Sequence, residues 1–229
     1  PNDVAGSFAG VKSFNGAFSC CASLKEIPAG LFLYATEAKR FEDCFSHSAS
    51  ISEIPATLFE NCSLAEDFSY AFYATGTGVV TTSNTLSNFD TVREQVKAGI
   101  LKSIPEELFA NCANAKQYDY VFGATAIEAI PETLFKSAAN ATTFMGAFSA
   151  CVNLKSIPTG LLANAASALD IKYMFAGCES LTEIQSGIFT NNSTVTNLEY
   201  IFYKTGVTSL QSGIFEGLTS VKTIGAVFQ

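Results

Sequence analysis

The amino-acid sequence predicts an α/β repeat fold, a right-handed solenoid of about seven to eight coils with short parallel strands and short helical turns. Two observations predict it. A unit that begins with an apolar residue three before an isoleucine or leucine recurs with spacings of 27, 50, 26, 27, 27 and 26 residues. One phenylalanine also falls at the same place in every unit. Repeats of roughly 20 to 50 residues are typical of solenoids, in which each coil buries its apolar face by stacking on its neighbours.

The units begin at Leu24, Ile51, Leu101, Ile127, Leu154, Leu181 and Val207. Three positions of the unit are apolar throughout, and they predict the core. The first, named here the phenylalanine row, comprises Phe18, Phe45, Phe72, Phe122, Phe148, Phe175, Phe202 and Phe228. The second position holds Phe14, Phe41, Phe68, Tyr118, Phe144, Ile171, Leu198 and Ile224. The third holds Phe32, Phe59, Phe109, Phe135, Leu162, Phe189 and Phe215, so that 18 of the 20 phenylalanines are predicted to be buried.

Each unit divides into three short segments. The Leu-x-x-Ile segment is predicted to form a short parallel strand, because it is apolar and is followed by proline in most units. The Pro-x-x-Leu-Phe segment is predicted to form one or two helical turns; in Pro105-Glu106-Glu107 the carboxylates would face the positive end of the helix dipole. The Phe-x-Tyr-x-Phe segment is expected to be a second short strand or a turn.

The repeat phase continues across the whole chain, so residues 1–229 are predicted to be a single solenoid with an insertion at 77–99. In that insertion Phe89, Val92, Val96 and Ile100 recur at helical spacing after a weak capping box at 87–90. We expect an amphipathic helix packed on one flank, with a degenerate short coil as the alternative. The helix could carry a specific function or be a tolerated decoration.

Composition and charge exclude several classes of function. With a net charge of −8 and only 13 scattered Lys and Arg residues, the chain lacks the basic face that nucleic acid and anionic membranes require. No apolar run is long enough for a membrane helix, and Pro1-Asn2-Asp3 does not begin a signal segment. Hydrolase, metalloprotease, Walker and Rossmann motifs are missing from the sequence, so we predict no catalytic residues, no cofactor and no enzyme activity.

The seven cysteines follow the repeat. Cys21, Cys151 and Cys178 share one position, and Cys62 and Cys112 share another. We interpret them as small, weakly polar interior residues. A disulfide between stacked neighbours such as Cys151 and Cys178 is the alternative, because the spacing of adjacent coils falls in the Cα range of disulfides. Zinc is less favoured, since the chain has one histidine and no Cys-x-x-Cys pair, and no metal site is predicted.

The unit resembles the BspA-like leucine-rich repeats of surface proteins from Bacteroides-type bacteria, whose unit reads roughly I-x-x-Y-A-F-x-x-C-x-x-L-x-x-I. The segment 171–184, IKYMFAGCESLTEI, is similar to it, as is the segment 14–27, FNGAFSCCASLKEI. The segment 207–218, VTSLQSGIFEGL, also looks like the general leucine-rich repeat phrase. The resemblance implies a secreted or surface-anchored binding protein, in an extracellular or cell-surface location, and it implies no catalytic residues.

The leading functional hypothesis is a noncatalytic binding module that offers one face of the solenoid to a protein or glycan. The candidate ligand-binding residues are Tyr70, Tyr120, Tyr173 and Tyr200, two before the phenylalanine row, with Tyr73 and Tyr203 just after it. Tyrosine combines an apolar ring with a polar tip, which suits carbohydrate and protein ligands. Strand alternation would instead turn the first four toward the interior or the rim.

A second hypothesis is a structural spacer or a self-associating segment of a larger surface protein. An uncapped terminal coil would expose its edge and its apolar residues, and two such edges could pair end to end.

Overall fold

The computed structural model describes residues 8–80 and 88–229. Within these residues the backbone is a stack of coils in which parallel bridges pair one residue of each coil with its equivalent in the next. Seven bridges connect eight segments in series: Ser13, Arg40, Asp67, Gln117, Thr143, Asp170, Asn197 and Thr223. Each bridged residue immediately precedes the second apolar position. No strand in the described part extends beyond a single bridged residue. The repeat period therefore predicts the stacking correctly; the handedness stays a prediction.

The predicted location of the strand is wrong. The Leu-x-x-Ile segments contain no bridge in the described residues, although Glu128 N–H donates to Lys102 O and Lys155 N–H donates to Glu128 O. The bridged segment is instead the one that precedes the phenylalanine row. Its core-facing residue is large and aromatic in most coils, and the two residues before it are exposed or half-buried and, apart from Leu169, polar. The apolar Leu-x-x-Ile pattern predicts burial, but it does not predict which segment forms the bridges between coils.

The Pro-x-x-Leu-Phe segments form hydrogen-bonded turns and not helices. Leu31 N–H donates to Pro28 O at 3.0 Å, and Leu58 N–H donates to Pro55 O at 3.1 Å. These bonds span three residues, and no i to i+4 ladder follows them. The proline begins the turn because its φ is fixed and no amide hydrogen is required there. The predicted helical turns are therefore replaced by a succession of turns, each closed by its own i to i+3 hydrogen bond.

The segment that contains the phenylalanine row is a series of overlapping turns. In residues 41–48, alternate N–H groups donate to carbonyl oxygens of the next coil, and the N–H groups between them close turns within the segment. The first set is Phe41, Asp43, Phe45 and His47, and the second set is Cys44, Ser46 and Ser48. The amide groups are thus satisfied without an extended strand. Of the two conformations expected for this segment, the structure adopts turns.

The core consists of stacked aromatic rings from the three apolar positions. Neighbouring rings of the phenylalanine row stack along its whole length, from Phe18–Phe45 at 5.3 Å between centroids to Phe202–Phe228 at 5.4 Å. Rings of the second position stack from Phe14 to Phe144. The burial prediction is confirmed for most of these residues. It is wrong for Ile224, whose exposed fraction is 64%.

The insertion contains one α-helix, α1, at Phe89–Lys97. Asn88 is its N-cap and makes no side-chain capping hydrogen bond; Ser87 of the expected capping box lies outside the described residues. Phe89, Val92 and Val96 are buried, as the helical spacing predicts. Ile100 lies beyond the end of the helix and is 46% exposed, so its expected place on the buried face is wrong.

All seven cysteines are free, so the alternative of a disulfide between Cys151 and Cys178 is wrong. Five of them, Cys44, Cys62, Cys112, Cys151 and Cys178, are buried, whereas Cys20 is exposed and Cys21 is half-buried. Among the buried thiols, Cys151 Sγ donates to Phe122 O at 3.1 Å and Cys178 Sγ donates to Phe148 O at 3.3 Å, in each case to the preceding coil. The five buried cysteines therefore pack as small interior residues, as expected, and the interior interpretation is wrong for the exposed Cys20. In residues 8–80 and 88–229, no helix has the length and apolar character needed to cross a membrane.

Candidate binding surface

The tyrosine row, defined as Tyr70, Tyr120, Tyr173 and Tyr200, is positioned by an unusual backbone conformation. The φ angles of these residues are 57°, 51°, 58° and 58°, in the left-handed region that ordinary residues seldom adopt. Equivalent positions in the remaining coils also have positive φ: Gly16, Asp43, Gly146 and Ala226. Each of these residues except Ala226 is the third residue of a hydrogen-bonded turn, where a type II turn requires positive φ. Strand alternation therefore does not apply here, and all four tyrosines are half-buried and partly accessible.

The tyrosine row is organised as two stacked pairs. The rings of Tyr70 and Tyr120 lie 5.0 Å apart at an interplanar angle of 14°, and those of Tyr173 and Tyr200 lie 4.9 Å apart at 19°. Gly146 occupies the equivalent position in the coil between the pairs. A Cβ atom there would lie 2.2 Å from Cε1 of Tyr120, so the ring of Tyr120 fills the space above this glycine. The row thus continues across the coil that lacks a tyrosine.

The other two candidate tyrosines differ from each other. Tyr73 is buried, with an exposed fraction of 6%, and its ring meets those of His47 and Tyr70 edge to face. Tyr203 is half-buried and meets Tyr200 edge to face at 5.6 Å. Tyr73 is therefore a packing residue, whereas Tyr203 extends the accessible row at one end.

Helix α1 supports this surface from one side. Its buried residues Phe89, Val92 and Val96 form a second apolar cluster, separate from the main core, with Tyr73 and with a set of small residues. The small residues are Ala74, Ala124, Ala150 and Ala176, and the tyrosines packed against the cluster are Tyr70, Tyr120, Tyr173 and Tyr203. Burying these rings on one edge restricts their motion. A ring that is held in place and still accessible loses little entropy when a ligand binds.

The helix lies along the axis of the stack and contacts one coil after another. The ring of Phe89 lies 5.2 Å from Lys204 Nζ, Arg93 Nε lies 2.8 Å from Glu179 Oε2, and Asn153 Nδ2 donates to Lys97 O at 3.1 Å. The three helix residues are four apart, a rise of about 6 Å. Adjacent coils are about 4.8 Å apart. The near match lets successive helical turns meet successive coils.

Carboxylates follow the tyrosine row along its length and form what we name the acidic strip: Glu42, Asp43, Asp67, Asp119, Asp170 and Glu199. These carboxylates lie close enough to act electrostatically on one another and on the tyrosine hydroxyl groups. Asp119 acts on both Tyr70 and Tyr120, and Glu199 acts on Tyr173. Asp119 is the most enclosed by its neighbours, since its carboxylate accepts hydrogen bonds from Thr143 Oγ1 and from Met145 N–H at 2.9 Å.

Burial and mutual repulsion raise the pKa values of this surface. Burial, followed by the carboxylates of Asp170 and Asp67, raises the pKa of Asp119. Burial and then the carboxylates of Asp67 and Asp43 raise the pKa of Glu42. Burial, Tyr73 and nearby carboxylates raise the pKa of Tyr70 to about 12. Each raised pKa means that the ionised form of the group is disfavoured at this surface. A cation that approached the surface would stabilise the ionised form.

Sequence reasoning found the tyrosines and missed the acidic strip. The strip is not a motif, because its members come from different positions of the unit. A column-by-column comparison of units shows the signal, since Asp119 and Glu199 directly precede a tyrosine of the row and Asp43 takes a tyrosine's place. No group of three or more potential metal ligands exists among the described residues.

No family model and no curated protein matches the chain. Two solved structures to which it is similar are the Toll–Spatzle complex, described as a molecular hub in Drosophila development and innate immunity, and the leucine-rich repeat domain of APL1B. The first has a TM-score of 0.47 at 15% identity and covers 87% of this chain and 28% of that chain. The second has a TM-score of 0.41 at 18% identity and covers 64% of this chain and 41% of that chain. This chain therefore spans less than half the length of either.

The bridges, the stacked rows and the period together define the class of protein as a parallel repeat solenoid. Its distinctive surface is the combination of the tyrosine row, the acidic strip and the supporting helix α1.

Proposed function

We propose that the chain is a noncatalytic binding module of the leucine-rich repeat type that recognises a protein through the tyrosine row. The observation that carries the proposal is the accessibility of Tyr70, Tyr120, Tyr173 and Tyr200 along one continuous face. All four rings are positioned by positive φ, and those of Tyr70, Tyr120 and Tyr173 also pack against the second apolar cluster, so they lose little freedom when a partner covers them. Tyrosine is also among the residues that contribute most to binding energy at protein interfaces.

The finer assignment is to the BspA-like repeats, in a secreted or surface-exposed bacterial protein. It is supported by the phrases at 14–27 and 171–184, which carry the phenylalanine, the cysteine and the Leu-x-x-Ile of that unit in register. A glycan ligand and end-to-end self-association are alternatives that the same sequence raised and that remain predictions.

Selection of displayed random peptides against the wild-type chain tests the proposal. Enriched peptides should lose at least about tenfold in affinity for the double variant Tyr173→Ala/Tyr200→Ala, because rings at the centre of an interface carry much of its energy. The matched control is Tyr34→Ala, which removes a tyrosine outside the row that is 47% exposed. Its affinities should stay within about twofold.

The urea midpoint of each variant is measured beside its affinity, so that unfolding is not mistaken for lost contact. If folded Tyr173→Ala/Tyr200→Ala protein binds every enriched peptide as tightly as wild type does, the tyrosine row is not the binding surface.

A further inference from the structure

We propose that the partner presents an arginine-rich basic segment, which binds along the tyrosine row with its guanidinium groups between the tyrosine rings and the acidic strip. This inference rests on the proposed function and names the chemistry of its partner.

The first argument is charge complementarity. The acidic strip contributes six carboxylates beside the tyrosine row: Glu42, Asp43, Asp67, Asp119, Asp170 and Glu199. At the three positions of the unit that hold these carboxylates, the cationic residues are Arg40 and Lys172. Carboxylates therefore outnumber cations beside the aromatic rings. A neutral or acidic partner would leave these charges uncompensated on binding, whereas a basic segment would pair with them.

The second argument is that the surface already binds a cation of its own. Lys172 Nζ lies 5.3 Å from the centroid of the Tyr173 ring. At the other end of the row, Lys204 Nζ lies 5.8 Å from the centroid of Tyr203. The faces of these rings are thus reachable by an ammonium group at cation–π distance. A guanidinium group from a partner can take a similar position over Tyr70 or Tyr120.

The third argument concerns the row of residues immediately before the bridged residues, whose charged members are mainly basic and which contains two ion-paired lysines. Lys39 Nζ and Lys116 Nζ lie 2.8 Å and 3.1 Å from the carboxylate of Glu66. These ion pairs hold the lysines beside the bridged residues and away from the tyrosine row. These lysines would repel a bound basic segment and the acidic strip would attract it, so the segment would bind along the acidic strip only.

Arginine suits the surface formed by the tyrosine row and the acidic strip better than lysine does. A guanidinium group can bond a carboxylate with two N–H groups while its planar face stacks on an aromatic ring. The carboxylates of Asp67, Asp119 and Asp170 already accept backbone N–H bonds, which fixes their orientation. Oriented carboxylates beside fixed rings favour a planar, two-pronged cation over a point charge.

The test uses a labelled synthetic peptide of about twelve residues in which arginine alternates with glycine, titrated against the whole chain by fluorescence anisotropy. It should bind, and binding should weaken as salt is raised. The triple variant Glu42→Gln/Asp170→Asn/Glu199→Gln should weaken binding by about tenfold, because each exposed charge pair contributes modestly. Citrulline or lysine in place of arginine should also weaken it.

The matched control removes the same number of charges elsewhere. Glu26, Glu53 and Glu183 are exposed and share one position in the Leu-x-x-Ile segments. Changing all three to glutamine should alter affinity by less than about threefold, through net charge alone. Lys172→Ala should tighten binding by about two- to fivefold, because it removes a competing cation from the Tyr173 ring.

The outcomes separate the two proposals. If the arginine peptide does not bind, or if both triple variants weaken it equally, the inference is overturned. Display peptides without basic residues that still require Tyr173 and Tyr200 would then leave the proposed function standing. If the arginine peptide binds and the tyrosine variants do not affect it, the contact with the rings is wrong.

Discussion

Arg93 of the inserted helix and Glu179 of a coil far along the chain form an ion pair with Nε and Oε2 2.8 Å apart. The ion pair fixes the position of α1 along the axis of the stack, because Phe89 and Lys97 contact the coils on either side of the one that contains Glu179. An insertion that begins after one coil is thus attached to later coils. The tyrosine row lies beside this attachment, so helix docking and the binding surface are linked through the second apolar cluster.

Undocking the helix should loosen the tyrosine row without unfolding the solenoid. The double variant Val92→Ala/Val96→Ala removes four buried methyl groups, at about 0.8 kcal/mol for each such group. Hydrogen exchange followed by mass spectrometry should show faster exchange in 89–97, with the bridged segments unchanged. Arg93→Ala should have a smaller effect, below about 1 kcal/mol, because both partners are partly exposed. Equal acceleration of exchange throughout the chain would contradict an independently docked helix.

Phe175→Ala should destabilise the protein by about 3 to 5 kcal/mol. The ring is 1% exposed and stacks on both Phe148 and Phe202 with centroids 5.8 Å away, so its loss leaves a cavity in the middle of the row. Urea denaturation measures the change. Leu169→Ala is the control, because Leu169 is 47% exposed and should cost less than about 1 kcal/mol. A midpoint for Phe175→Ala close to that of the parent would show that the ring is not buried between its neighbours.

Much of the core follows from the sequence, and the pairing segment does not. Periodic phenylalanines predict which residues are buried, because equivalent residues of successive coils face the same interior of a solenoid. They do not indicate which segment forms the bridges, because Leu-x-x-Ile and the second apolar position are both buried. Hydrogen bonds between coils decide that question, and they are made by backbone groups that have no sequence signature.

The tyrosine row shows a second limit. Its positive φ angles would be signalled by glycine, and glycine occurs at Gly16 and Gly146 of this position. Tyrosine at the same position hides the signal and favours the interpretation as a strand. Comparison of the glycine-bearing units with the tyrosine-bearing ones would have indicated the turn.

Gly146→Ala should cost more stability than Gly16→Ala. Both glycines have similar φ, 61° and 63°, so both substitutions carry the same backbone strain of about 1 to 2 kcal/mol. A Cβ atom at Gly16 meets nothing within 4 Å, whereas one at Gly146 lies 2.2 Å from the Tyr120 ring. The extra cost should be about 1 to 3 kcal/mol.

The double variant Tyr120→Ala/Gly146→Ala isolates that clash, because the second substitution should cost no more than Gly16→Ala once the ring is gone. Urea midpoints of five proteins give the comparison: the wild type, the single variants Gly16→Ala, Gly146→Ala and Tyr120→Ala, and the double variant. Equal costs for the two single variants would mean that the Tyr120 ring does not lie over Gly146.

Stability should fall as the pH rises above about 8.5. Burial raises the pKa of Cys62 to about 12 and raises those of Cys44, Cys112 and Cys178 as well. In the unfolded chain these thiols ionise near about pH 8.5. Between these values the folded state binds more protons than the unfolded state does, so the free energy of unfolding decreases with pH. Urea midpoints from about pH 7 to about pH 10 measure it, and a flat profile would contradict buried, neutral thiols.

The central claim is that equivalent residues of successive coils lie on one axis, and distances between spin labels test it most directly. Lys12, Lys116, Leu169 and Lys222 are exposed, share one position of the unit and lie beside bridged residues. With Cys20 and Cys21 replaced, labels at position 12 paired with 116, 169 and 222 span three, five and seven coil steps. At about 4.8 Å a step, the separations should rise in order, from about 14 to 24 to 34 Å. Distances that do not increase with the number of coils between the labels would contradict the stacked arrangement.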